Sequence, residues 1–176
     1  MTTLNVNKWQ TAAGTTVNNV VQTKVFHYAT YQAFTGGDSV AQDTGLTLSI
    51  TPRYSTSKIY VLVSANIFNA TNGSVCRARI KRTGPATVYS ASSGQSGSFG
   101  WTTTRYNGSP AGATPEMGMN HTIQMFDSPA STSACTYTLQ VANNNASGAA
   151  VGINGSGTWG SSWAGSSQII LMEIAQ

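Results

Sequence analysis

Two histidines, two cysteines and five carboxylates are the side chains from which acid–base, thiol or metal chemistry would have to be built here. His27 sits between Phe26 and Tyr28, and His121 follows Asn120. Neither has a second histidine or an acid at a metal-ligand spacing, so both are expected in structural or surface roles. Asp38 and Asp43 are expected to flank a turn, where such side chains bond their own backbone. Glu116 and Asp127 would need the fold to bring them together before they could act as an acid–base pair. Cys76 and Cys135 each fall on the apolar phase of a strand pattern (Cys76, Ala78, Ile80; Cys135, Tyr137, Leu139, Val141) and are expected as small core residues rather than a disulfide. No catalytic residue, metal site or cofactor follows from this set, and an enzyme is the least favoured reading.

Binding chemistry is better represented. The run Arg77-Ala78-Arg79-Ile80-Lys81-Arg82 holds four of the nine basic residues, with Arg77, Arg79 and Lys81 on one face at period two. Such a stripe binds phosphate or acidic polysaccharide, or it is simply a solvated face that keeps a strand from pairing with other chains. Trp159 and Trp163 lie four apart in a Gly/Ser-rich stretch, and Trp101 and Tyr106 flank another loop. Aromatic faces in polar loops stack on sugar rings; the competing reading is that each ring plugs an end of the fold or a subunit seam.

These residues need a scaffold, and the composition says which kind. Charged residues make up 8% of the 176, against about 25% in ordinary soluble proteins. Ser, Thr, Gly and Asn together supply 76 residues, so solubility rests on hydroxyls and amides. That favours turn-rich β structure over Glu/Lys-rich surface helices. The net charge of +4 is too small and scattered to argue for nucleic acid. The opening Met-Thr-Thr-Leu-Asn-Val-Asn lacks the basic-then-apolar pattern of a secretory signal, and no stretch approaches the ~20 apolar residues that span a bilayer, so no membrane insertion is expected.

The pattern centres on Lys58–Phe68. Ile59, Val61, Val63, Ala65 and Ile67 occupy one face of an extended strand, and Tyr60, Leu62 and Phe68 the other. Ser167–Ala175 is also apolar on both faces, with Ile170, Met172 and Ile174 on one and Ile169 and Leu171 on the other. Two-sided apolar strands are covered twice. Other copies of the same chain are the simplest second cover, which makes Tyr60, Leu62, Phe68, Ile169 and Leu171 the candidate homotrimer interface. Further strands are read at 20–34 (one, or two joined by a bend), 46–50, 74–82, 86–91, from 99, and at 121–126, 134–142 and 150–153. Thr71-Asn72-Gly73 signals a tight hairpin to 74–82. The expected fold is all-β: an antiparallel jelly-roll sandwich of eight to ten strands, trimer-forming, spanning 20–176, with an extended N-terminal arm at 1–19. The arm carries one short apolar alternation, Leu4 and Val6, ending in Trp9.

The segment Leu4–Gly14 (L-N-V-N-K-W-Q-T-A-A-G) resembles the N-terminal piece of many bacteriophage tail-fibre and virion structural proteins. Asp43–Pro52, followed by Ser57–Ser64, is similar to phage proteins with a trimeric, tumour-necrosis-factor-like jelly-roll head, and Q-I-I-L-M-E-I-A resembles their closing strand. These matches cover about a third of the chain and carry no catalytic residue. They imply a virion protein on the particle surface: a trimeric short fibre or knob, joined to other virion proteins through Leu4, Val6 and Trp9. Its expected contact is the host surface, with polysaccharide as a candidate receptor for Trp101, Tyr106, Trp159, Trp163, Arg77, Arg79 and Lys81. A capsid decoration or cement protein and a stand-alone carbohydrate-binding module are the alternatives.

Overall fold

The computed structural model describes residues 9–10, 16–17, 19–35, 41–69, 75–90, 102–105, 117–143, 151–155 and 165–176. Every regular element among them is a strand: β1 (Trp9–Gln10), β2 (Thr16–Val17), β3 (Val20–Tyr28), β4 (Gln32–Phe34), β5 (Gln42–Ile50), β6 (Lys58–Asn69), β7 (Val75–Thr83), β8 (Val88–Tyr89), β9 (Thr102–Arg105), β10 (Met117–Asp127), β11 (Cys135–Asn143), β12 (Val151–Ile153) and β13 (Ser167–Ile174). β1 and β2 pair only with each other. The remaining eleven form two antiparallel sheets, a jelly-roll-like sandwich. The expected upper count of ten becomes eleven because the bend after Tyr28 splits 20–34 into β3 and β4.

The six-stranded sheet runs β3–β13–β6–β12–β4, with β10 on the opposite edge of β6. β6 is its centre, as the apolar pattern implies. Ile59, Val61, Val63 and Ala65 are fully buried against Leu46, Ile50, Ile80, Tyr137, Leu139 and Val141 of the other sheet. That sheet runs β5–β11–β7, with β8 and β9 on the outer edge of β7. One flank of the sandwich is closed by bonds from β3 to the β5 side: Gln22 Nε2 donates to Thr51 O at 2.8 Å and Lys24 Nζ to Ser49 O at 3.0 Å.

The hairpin expected at Thr71-Asn72-Gly73 does not form a two-strand pair. β6 and β7 belong to different sheets, because both edges of β6 are already taken by β10 and by β13 with β12. Asp43 lies at the start of β5, where its carboxylate is taken by Gln140 and Lys81 rather than by its own backbone, and Asp38 with the turn expected beside it lies outside the described residues.

The face assignment of β13 is also corrected. Ile169 and Leu171 are fully buried core residues, and the outer face instead carries Ile170 and Met172, both half-buried. Glu173 shares the inward phase with Ile169 and Leu171, where a carboxylate would ordinarily mark the solvent side. It is tolerated because the connection after β5 brings donors to it. Oε1 accepts from the amides of Arg53 (2.8 Å) and Tyr54 (3.3 Å), and Oε2 from Gln22 Nε2 (2.6 Å). Phe68 is buried too, but by its own chain: its ring stacks on Tyr31 at 5.6 Å, and it fills the space a side chain at Gly152 would need.

Cys76 and Cys135 are both buried and free, as expected of small core residues. Burial pushes the Cys76 thiol up to about 12 and raises that of Cys135 as well. The native protein should therefore be inert to a thiol reagent at neutral pH, with two equivalents appearing on denaturation. A thiol that reacts within seconds in the native state would contradict this burial.

Candidate functional site: two outer faces and two ends

The outer face of the five-stranded sheet carries the basic residues, and their charges are answered by neighbouring strands. Arg79 Nε donates to Gln140 Oε1 at 2.7 Å, and its guanidinium lies 3.9 Å above the Tyr89 ring. Gln140 Nε2 donates to Asp43 Oδ1 at 2.6 Å, and Asp43 is ion-paired with Lys81. Burial pushes the Asp43 carboxyl up, but Lys81 and Gln140 outweigh it and hold it below its ordinary value. Register explains the assembly: β11 lies between β5 and β7, so Gln140 is opposite both Asp43 and Arg79. Arg77 shares this face, half-buried and facing Ala142 and Thr103 across the ladders. The stripe is thus a cross-strand network rather than a row of uncompensated cations. Beside it, Thr47 with Thr138 (2.9 Å) and Ser49 with Thr136 (2.7 Å) form a hydroxyl ladder.

The outer face of the six-stranded sheet is the opposite in character. Across one row lie Val25, Ile170, Leu62 and Gln124; across the next lie Thr23, Met172, Tyr60 and Phe126. Phe126 is 67% exposed and Val25 48%. The Tyr60 and Phe126 rings touch at 4.7 Å, and Tyr60 donates its hydroxyl to Gln124 Oε1 at 2.8 Å. Of the candidate interface residues, Tyr60, Leu62 and Phe68 share the outward phase of β6, with Phe68 covered by the Tyr31 ring, while Ile169 and Leu171 point into the core. Ile170, Met172, Val25 and Phe126 take their place. Phe126 could have been found from sequence, since it falls opposite Ile123 and Met125 in the alternation of β10.

Inside the sandwich, charge is confined to tightly partnered groups. Asp127 Oδ2 accepts the Tyr137 hydroxyl at 2.7 Å and lies 2.8 Å from Arg82 Nε, with both charged side chains almost wholly buried. The Arg82 Nε–H does not point along that contact, so the pair is held by charge rather than by an aligned hydrogen bond. Burial first, and then the neighbouring carboxylate, drive the Tyr137 phenol far above its ordinary value. These groups are sealed in the core, where no substrate reaches them. Asn154 ties the far end of the sheets together: Nδ2 donates to Tyr28 O (2.7 Å) and Thr30 O (3.2 Å), and Oδ1 accepts from Ser167 Oγ (2.6 Å). His27 is exposed beside Gln168, and burial lowers the pKa of half-buried His121. Among the described residues no group of three or more His, Cys, Asp or Glu is placed to hold a metal.

The two ends of the sandwich differ in their connections. At one end Val20, Lys58 and Ile174 lie side by side, and Ala175 N donates to Asn19 O at 2.9 Å. The short connections 51–57, 84–87 and 128–134 turn there. At the other end lie Tyr28 with Ser167, Asn69 with Met117 and Val151, and Cys76 with Asn143. The chain leaves and rejoins the sheets at that end for 70–74, 106–116, 144–150 and 156–164. Trp101, Tyr106, Trp159 and Trp163 lie outside the described residues, as do Leu4 and Val6; the backbone of Trp9 pairs with Val17.

The described residues therefore form an all-β sandwich with one ionic outer face, one apolar outer face and four of its longer connections at one end. No protein-family model and no curated protein sequence matches it. Solved structures of similar shape include a chain of infectious bursal disease virus, Gt strain (12% identity, TM-score 0.43), and the VP2 subviral particle of that virus (10% identity, TM-score 0.40). Each alignment covers 97% of this chain and 44% of the other, so this chain spans less than half their length. Likeness this slight does not say what the chain does.

Proposed function

We propose that this chain is a non-enzymatic structural protein of a bacteriophage virion: a homotrimeric knob on the particle surface that contacts the host cell, with surface polysaccharide as its receptor. The observation that carries the reading is the polarity of the sandwich. The strand that follows residues 1–19 starts at the end where the connections are short, and the segments 70–74, 106–116, 144–150 and 156–164 start and finish at the opposite end, while 91–101 opens along the outer edge of β7, from Ser90 beside Ile80 to Thr102 beside Ala78. A knob needs that arrangement, with attachment behind and variable loops in front on a rigid scaffold. Residues 1–19, with Leu4, Val6 and Trp9, attach to other virion proteins by adding a strand to a partner's sheet edge. Trp159, Trp163 and Tyr106 belong to segments that start and finish at the front end, and Trp101 precedes β9. Arg77 is the member of the basic stripe nearest that end, while Lys81 is committed to Asp43 further back.

The test is the double substitution Trp159→Ala with Trp163→Ala. Adsorption to host cells should fall at least tenfold while the oligomer and particle incorporation are unchanged. Added salt should weaken adsorption of the unmodified protein only modestly, since stacking rather than charge dominates. Normal adsorption by the double variant would overturn receptor contact through this loop and favour a capsid decoration protein.

A further inference from the structure

We propose that the front part of the six-stranded sheet's outward side is a binding site for an uncharged polysaccharide, held by the amides of Asn66 and Asn120, the Gln168–His27 pair and the hydroxyls of Ser64 and Thr122. This rests on the knob reading and deepens it, by naming the chemical class of the receptor and its place on the scaffold.

Strand register gathers these side chains into two adjacent rows. His27 of β3, Gln168 of β13, Ser64 of β6 and Thr122 of β10 lie side by side, and Asn66 faces Asn120 in the next row towards the front end. His27, Ser64, Thr122 and Asn120 are exposed, and Gln168 and Asn66 are half-buried. Gln168 Nε2 and His27 Nε2 are 3.3 Å apart. Among the described residues the side-chain amides of Asn66 and Asn120 have no hydrogen-bond partner. The Asn66 backbone is nevertheless fixed: its N–H donates to Ser167 Oγ and its carbonyl accepts from Asn154 N, each at 3.0 Å. Two glycines leave room around its amide. A Cβ at Gly165 would come to 2.8 to 3.1 Å from the Asn66 side chain, and one at Gly118 to 3.8 Å from Oδ1. The segment 156–164, which carries Trp159 and Trp163, rejoins the described chain at Gly165 and so beside Asn66.

The chemistry of the two rows selects the ligand. Amides and hydroxyls both donate and accept, and neither row contains Asp, Glu, Lys or Arg. A phosphate, sulfate or carboxylate only accepts; it would leave the amide and hydroxyl oxygens unanswered and would find no cation beside it. A sugar hydroxyl donates and accepts at one atom, so a run of them answers every group present. Leu62 and Ile170, half-buried in the adjoining row, offer an apolar surface to the C–H face of a ring. From β13 across β6 to β10 the platform is about 10 Å wide, at ~4.8 Å between strands. A shallow platform of that width suits a polymer lying along it better than an enclosed single sugar.

The experiment probes a printed array of uncharged and acidic bacterial oligosaccharides with the purified full-length chain. Binding should be confined to uncharged members and should change less than about twofold between roughly 0.05 and 0.5 M NaCl. Asn66→Ala with Asn120→Ala should weaken it at least about tenfold, with unchanged circular dichroism and thermal midpoint, because neither amide leaves a buried partner behind. Binding confined to acidic members, binding to none, or a double variant that binds like the unmodified chain would each overturn the site. Binding lost in Trp159→Ala with Trp163→Ala but kept in the asparagine variant would uphold the knob, move its receptor contact to the loop, and overturn this site. Absence of the chain from purified particles would end the knob reading instead, and the array result would then stand as that of a carbohydrate-binding module.

Discussion

Replacing Asp127 by alanine should remove about 3–5 kcal/mol of folding stability, the cost of breaking a buried pair and leaving one charge alone. The carboxylate sits on the inward phase of β10, where Arg82 of β7 and Tyr137 of β11 reach it from the other sheet. Without it the Arg82 guanidinium is left with neutral partners, Gly84 O at 3.3 Å from Nη1 and the Cys135 thiol, and the phenol loses its acceptor. A domain of this size has only about 5–15 kcal/mol to lose. The thermal midpoint should accordingly drop by about 6–20 °C, at roughly 2–4 °C per kcal/mol. Lys81→Ala is the control, since its partner Asp43 is half exposed and such pairs contribute at most about 1 kcal/mol. The triple change Asp127→Leu, Arg82→Met and Tyr137→Phe should recover most of the loss, because apolar replacement of a whole buried ionic group is often neutral. Urea denaturation of the four proteins measures this. A single Asp127→Ala variant as stable as Lys81→Ala would sink the account.

The second large effect lies at Glu173, whose side chain has no exposed surface. Burial by itself raises this carboxyl, yet the donors from Gln22, Arg53 and Tyr54 outweigh burial and leave it below its ordinary value of 4.5. The sign follows directly. A folded-state value below the unfolded one means the ionised form stabilises the fold. That contribution is complete above pH 4.5 and is lost as pH falls through the lower folded-state value. Glu173→Gln should cost about 2–3 kcal/mol at pH 7, because an amide cannot accept from donors on both sides and its own NH₂ meets one of them. The gap between the two proteins should begin to narrow as pH falls below the ordinary carboxyl value of 4.5 and should close as it passes through the lower folded-state value, where the wild-type carboxyl itself becomes neutral. Chemical denaturation from pH 3 to 7 tests this, and a gap that stays constant over the range would show that the carboxylate is not the cause. The affected region should be the 51–57 connection, whose first turn hangs on Glu173.

Much of the scaffold could be read directly from residue order. Alternation located β6 and its buried face, the apolar phase of Cys76 and Cys135 marked them as core, and the shortage of charge with abundant Ser, Thr, Gly and Asn pointed to strands and turns. These are local properties, set by period two and by the chemistry of single residues. Three decisions belonged to tertiary structure alone. Where both phases of a strand are apolar, periodicity is symmetric. In β13 the choice rested on distant donors that neutralise the penalty of burying Glu173, so Ile169 and Leu171 went inward and Ile170 and Met172 outward. The hairpin suggested by Asn72-Gly73 lost to competition for the edges of β6, a matter of which strands arrive beside it. The basic stripe kept its period, but Asp43 and Gln140, far away in sequence, met it across β11 and turned cations into a network. Charge compensation, edge occupancy and the choice between equivalent faces all depend on pairings between residues dozens of positions apart. No local pattern encodes those pairings.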